Sequence, residues 1–218
     1  LLFYGENEAE YGNPIVENTK SLRDKSYWVA KNLDQLYIAG LSLKDLKELH
    51  NLSIKDLYNF IPAIDGEFEK GDLQVHYLGY YLRWTPQEAY YYAVENTGFK
   101  ARPFRTEGTY SKYNSIDDKI DDFHYYTARV KFGIGRATYD ASQEIRNKHI
   151  TREEGKYLVK KFDGEFPSRY FSDVLDYINL KPNEFDKLCD SFRSPHLWKK
   201  TSQGYKLRHT VNKNGTDD

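Results

Sequence analysis

The chain has 218 residues, enough to bury one substantial core and leave one or two domains open. Its 32 Lys and Arg against 33 Asp and Glu leave a formal charge of -1, which gives no reason to expect nucleic acid or an anionic membrane as partner. A single cysteine, Cys189, excludes an intrachain disulfide and a cysteine-rich metal site, and no apolar run is long enough to span a bilayer, so a cytoplasmic protein without membrane insertion is expected.

In chain order, residues 1–4 read as a buried strand ending at Gly5, followed by an acidic turn, residues 6–13, closed by Pro14. Residues 15–41 are irregular. Ser42 and Ser53 then sit where N-caps of two short helices, 43–51 and 54–60, are expected. Residues 72–84 are β-branched and aromatic and predict a second sheet strand, and Thr85-Pro86 predicts the N-cap and first position of a helix ending near Gly98. Residues 99–114 are too aromatic for disorder and predict an ordered loop. Ser115 is the expected cap of a long helix through Asp117, Asp118, Asp121 and Asp122 to about Phe132. Shorter helices follow: Thr151 with Glu154 forms a capping-box pattern, Pro167 is the expected start of the next helix, and Lys181-Pro182 of another running to Phe192. The tail after Gly204 is polar and is expected to fray.

Four segments carry residue types suited to chemistry. Glu6, Glu8 and Glu10 follow a strand end, where carboxylates can hold Mg²⁺; a solvated acidic turn is the alternative. Lys131, Gly133, Gly135 and Arg136 lie between two helices, where glycines permit close backbone approach and a helix start offers free amides to a phosphate. The Walker spacing is absent, and a tight connection is the alternative. Asp140 and Glu144 are four apart, so on a helix both carboxylates face one direction and can meet a sugar, a metal or an ammonium ion, or simply stand in solvent. The loop 102–110, with Arg105, combines cations, hydroxyls and aromatics and describes a nucleotide-sugar clamp as well as a loop tied down by salt bridges. The histidines have no zinc spacing, and no Ser/His/Asp triad can be assembled.

Taken together as literal strings, YGENEAEYGN, VHYLGYYLRWTPQEAYYYAVENTGF, FRTEGTYSKYNSIDDKIDDFHYYT, KFGIGRATYDASQEIRN and FRSPHLW resemble the C-terminal half of N-acetyl sugar amidotransferases, over nearly the whole chain. The resemblance implies an α/β, mostly helical chain with about two sheet strands, the C-terminal half of a PP-loop ATP pyrophosphatase domain. Residues 1–84 would be the remnant of that domain, with short helices, and residues 85–218 a helical region packing on it as one structural unit. The family's PP-loop, a Ser-Gly-Gly-x-Asp-Ser type of motif, is absent and is expected upstream of Leu1, so this chain by itself is expected not to consume ATP.

The implied activity converts a sugar acetamido group to acetamidino through an adenylylated intermediate, with ATP and Mg²⁺ as cofactors, for surface polysaccharides such as O-antigen. The implied partners are a nucleotide-linked N-acetyl sugar and a separate glutaminase pair supplying ammonia. By similarity to asparagine synthetase domains, Glu6 with Glu8 or Glu10 would serve Mg²⁺-pyrophosphate, and Lys131 and Arg136 the leaving pyrophosphate. Asp140, Glu144 and Arg105 are the expected substrate-binding residues. The rival readings are a non-catalytic sugar- or protein-binding module of the same fold, and a PP-loop ligase that amidates a carboxylate.

Overall fold

The structure is a computed structural model and describes residues 1–5, 20–24, 27–30, 32–33, 36–64 and 73–211. Two compact units divide the chain, Leu1–Trp84 and Thr85–Asp218. The acidic turn with Glu6, Glu8 and Glu10 lies outside the described residues.

In the first unit, β1 (Leu2–Tyr4) and β6 (Val75–Tyr77) pair in parallel, with Leu2 opposite Val75 and Tyr4 opposite Tyr77, so both expected strands share one ladder. Val75 and Tyr77 are buried, whereas Leu2 and Phe3 are exposed, which corrects the expectation of a buried opening strand. The strand expected over residues 72–84 is likewise cut to three residues. Pairing with β1 stops at Tyr77, and the backbone beyond it satisfies itself in a single helical turn, α3 (Leu78–Tyr81).

Between them lie β2 (Val29–Ala30), parallel to β5 (Ala63–Ile64), and the hairpin β3 (Tyr37–Ile38) and β4 (Leu41–Ser42). That hairpin turns through Ala39 and Gly40, both at positive φ, as a two-residue turn of this hand requires. The expected caps form: Ser42 accepts the Asp45 amide at the start of α1 (Leu43–Glu48), and Ser53 makes a reciprocal capping box with Asp56 at α2 (Ile54–Leu57). Leu43, Leu46 and Leu57 form the small core of this unit.

The second unit opens with α4 (Pro86–Thr97), capped by Thr85 and closed by Gly98 in the left-handed region at φ 73°. Its helices continue as α5 (Asp121–Phe132), α6 (Arg136–Arg146), α7 (Arg152–Phe162), α8 (Phe171–Ile178) and α9 (Pro182–Ser191). Phe123, Val130, Val174, Leu175, Phe185 and Cys189 make the core, with Phe166 and Phe171 packed edge-on at 4.9 Å.

Two helix starts differ from expectation. The α5 helix begins at Asp121, because Ser115 stands at φ 54° with its hydroxyl on Tyr125 Oη at 2.6 Å, and Asp118 accepts the Ile120 and Asp121 amides instead. The α8 helix begins four residues after Pro167, which is buried; Glu107 takes the Ser168 hydroxyl and the Arg169 amide and holds that stretch out of the helix.

The first part of the tail departs from the expectation of fraying, since Gly204 opens β8 (Gly204–Leu207), which pairs antiparallel with β7 (Trp198–Thr201), whereas residues 212–218 lie outside the described residues. The hairpin is anchored by Trp198, buried and donating its indole N–H to the Val130 carbonyl at 2.8 Å. The described residues thus form a mixed α/β, mostly helical chain with four two-stranded ladders. No helix among them is long and apolar enough to cross a membrane.

Candidate functional site

The loop from Arg105 to Asn114 is held by carboxylates from distant elements. Arg105 meets Glu165 in a two-pronged ion pair, both N–H···O distances 2.5 Å, and the same carboxylate accepts the Gly108 amide at 2.8 Å. The Arg105 guanidinium also donates to the Thr109 carbonyl at 3.0 Å. Thr106 and Thr109 are fully buried, so their hydroxyls need partners, and they have them: Thr106 donates to the Asn114 carbonyl at 3.0 Å and Thr109 to Asp140 Oδ2 at 2.5 Å. Before the loop, Arg102 reaches the buried carboxylate of Asp122 at 3.5 Å; burial raises the Asp122 pKa, and neither of its oxygens accepts a hydrogen bond.

Asp140 is the hub where loop and α6 meet. Its Oδ1 accepts Arg136 Nε at 2.8 Å and the Asn114 amide at 3.3 Å, while Arg136 also donates to Tyr125 Oη and lies over that ring at 4.5 Å. Arg105, Arg136 and Asp140, chosen as three separate candidates, therefore belong to one chain of hydrogen bonds running through Thr109.

One turn along the helix, Glu144 has a different situation. It is half-buried, its carboxylate makes no hydrogen bond among the described residues, and burial is the main cause holding its pKa above the ordinary range. Around it stand groups with donors to spare. Tyr110 Oη is buried without a partner, Tyr113 is pushed up to about 12 by burial and the charges of Glu144 and Asp140, and His149 Nδ1 is buried and unpartnered. Tyr90 stacks on Tyr113 at 4.4 Å and leaves an aromatic face beside them. A carboxylate without a donor, phenols without acceptors and stacked rings can together receive a small polar or cationic ligand.

Residues 107–212 match the family described as "LPS biosynthesis protein WbpG-like, C-terminal domain". This part of the chain is similar to the C-terminal domain of WbpG-like lipopolysaccharide biosynthesis proteins. No curated protein matches the chain. The matched region holds Asp140 and Glu144, and the Arg105 ion pair lies across its N-terminal edge.

Within the matched region, the glycines between α5 and α6 serve a carboxylate of the protein itself. Asp163 accepts the Gly135 amide at 3.1 Å and the Thr138 amide at 2.8 Å, so the anion at this helix start is a side chain. A Cβ on Gly135 would stand 2.7 Å from the Asp163 carbonyl oxygen, which explains the glycine. Gly133 closes α5 at φ 76°.

Lys131 stands apart from these groups. It is exposed, its ammonium 5.3 Å from the Phe132 ring and 5.8 Å from that of Phe192, at the edge of an apolar groove of about 420 Å³ between α5 and α9. Among the described residues, Asp117, Asp118 and Asp121 bring carboxylate oxygens within 4.8 Å of one another, although Asp118 already serves two amides.

Sequence reasoning missed Asp163, Glu165, Glu107 and Tyr125. Only Asp163 carries a local signal, an Asp-Gly step at the end of a helical pattern.

The Glu165 ion pair makes a testable pH dependence. Hydrogen bonds from Arg105 hold its pKa below the ordinary value, so its contribution is complete above the unfolded-state pKa of about 4.3 and is lost as pH falls through the lower folded value. Because both partners are about one-third exposed, Glu165→Gln is expected to cost about 1 kcal/mol at pH 7. The gap between variant and parent in urea unfolding should close as pH falls through the lowered folded pKa of Glu165; a constant gap would refute the linkage.

Proposed function

We propose that this chain is part of an ATP-dependent N-acetyl sugar amidotransferase acting on a nucleotide-linked sugar in surface polysaccharide biosynthesis. The match of residues 107–212 to the domain of WbpG, itself an N-acetyl sugar amidotransferase, supports this reading together with the long strings described above. The single structural observation that carries it is Glu144: a half-buried carboxylate without a hydrogen-bond partner beside phenols and a stacked tyrosine pair.

An amide carbon is a poor electrophile, so replacing its oxygen by nitrogen needs activation, which ATP with Mg²⁺ supplies when bound. Glu6 with Glu8 or Glu10 is the proposed Mg²⁺ set, and ammonia is proposed to come from a separate glutaminase pair. At the α6 start, the Gly135 and Thr138 amides are engaged by Asp163 and Arg136 by Asp140, so the uncommitted cation of the proposed phosphate set is Lys131.

The chain's own work at the Glu144 site is recognition. Ionised Glu144 balances the positive charge of an amidinium product or an incoming ammonium ion, Tyr110 and Tyr113 donate to sugar oxygens, and the ring faces cover the sugar. Asp140 positions the loop and α6 behind them.

The test is mass spectrometry of the full-length protein incubated with ATP, ammonia and nucleotide-linked N-acetyl sugars. A sugar product lighter by about one dalton marks acetamido to acetamidino conversion. Glu144→Gln is expected to lower kcat/KM by about 10²-fold, the scale of one preorganised electrostatic contact. Parental activity should also fall as pH drops through the raised Glu144 pKa. No lighter product with any such sugar would remove the reading, and amidation of a carboxylate substrate instead would favour the ligase.

A further inference from the structure

We propose that the cavity lined by Arg129, Lys160 and His209 binds an organic phosphate. The cavity encloses about 660 Å³ and draws its walls from α5, the α6 start, the end of α7 and the segment after β8. It is separate from the Glu144 site, although Gly133 and the α6 start, beside the segment singled out above for phosphate, lie in its lining.

Arg129 is the central observation. Its side chain is about four-fifths buried, yet no acceptor among the described residues comes within hydrogen-bond distance of its guanidinium, and the buried Nε has only the Asp163 carboxylate, beyond that reach. Its one counter-charge is Asp163 at 3.6 Å, and that carboxylate is already the acceptor for two α6 amides. Burial lowers the Arg129 pKa, which Asp163 only partly offsets. A guanidinium remains charged even so, and a buried one with idle N–H donors gains from a second anion.

The surroundings favour that anion. Lys160 and His209 are exposed at the cavity with no ion-pair partner among the described residues, and Thr138 and Thr210 add hydroxyls. Behind Arg129, Arg193 lies over the same Trp198 ring and adds positive charge. Among the described residues, Asp163 is the single carboxylate in the lining.

Size and polarity then select the class of ligand. A bare phosphate would leave most of the space empty, whereas Ile134, Val159, Leu207 and Val211 offer apolar wall to an attached organic body. A nucleoside phosphate has this form: charge at one end and a flat, weakly polar group at the other.

Calorimetric titration of the whole chain at low salt decides the matter, with three probes: inorganic phosphate, inorganic pyrophosphate and a nucleoside monophosphate. The nucleoside monophosphate is expected to bind with a Kd in the micromolar range, at least about tenfold tighter than inorganic phosphate. Pyrophosphate binding more tightly than the nucleotide would show that the walls select nothing and overturn the organic part of the proposal. Lys160→Gln and His209→Gln alter exposed side chains and should leave the fold intact while weakening binding about five- to tenfold each. Arg129→Lys, which keeps the charge and loses the fork, should weaken it further. No binding at millimolar nucleotide, or binding untouched by Lys160→Gln and His209→Gln, would overturn the site. Each readout is binding without turnover, so its failure says nothing about the sugar chemistry.

Discussion

Replacing Asp163 by alanine is expected to cost about 3–5 kcal/mol of folding stability, the scale for removing one partner of a buried ion pair. The Asp163 side chain is 8% exposed and serves three groups: the Gly135 amide, the Thr138 amide and the Arg129 guanidinium. Alanine would leave two amides at the α6 start without acceptors and a largely buried cation without a counter-charge. Since domains of this size are stable by only about 5–15 kcal/mol, the loss should show as a large drop in the urea midpoint. Asp163→Asn retains an acceptor but not the charge, and should recover part of the deficit. Gly135→Ala attacks the same contact from the other side, because its Cβ would press on the Asp163 backbone oxygen at 2.7 Å, and a cost of about 1–3 kcal/mol is expected. An Asp163→Ala protein within about 1 kcal/mol of the parent would show that the carboxylate only decorates the turn.

Under the amidotransferase reading proposed above, Lys131→Ala in the full-length protein is expected to fold normally and to lose about 10²- to 10³-fold in turnover. The structure makes this the cleaner test of the two proposed phosphate cations. Arg136 is tied to Asp140 and Tyr125, so its removal would disturb the loop as well as any ligand, whereas Lys131 is exposed and touches only the rims of two phenylalanine rings. If its ammonium meets the pyrophosphate as negative charge grows there, KM for the sugar should change far less than kcat. Near-normal turnover would make Lys131 a helix-end cation favoured by the dipole, and an unfolded variant would make it structural.

What the sequence by itself determined is the set of features whose partners lie within a turn or so. Ser42, Ser53, Thr85 and Thr151 accept the amide three residues ahead, Pro86 and Gly98 bracket α4, and Pro182 starts α9; each depends on one short segment. Tertiary structure decided the rest. Ser115 fits a cap, but Tyr125 takes its hydroxyl, and Pro167 fits a helix start, but Glu107 holds the residues after it.

The candidate site divides in the same way. Arg105, Arg136, Asp140 and Glu144 could be picked out as charges of suitable spacing, yet which of them is spent and which is free depends on partners far along the chain. Glu165 lies 60 residues from Arg105, Thr109 lies 31 from Asp140, and Asp163 lies 28 from Gly135. Charge is a property of the residue, but the cost of burying it and the partner that offsets that cost are set by the packed fold. That is why Asp140 ends as a saturated hub and Glu144, four residues away on the same helix, as a carboxylate still open to a ligand.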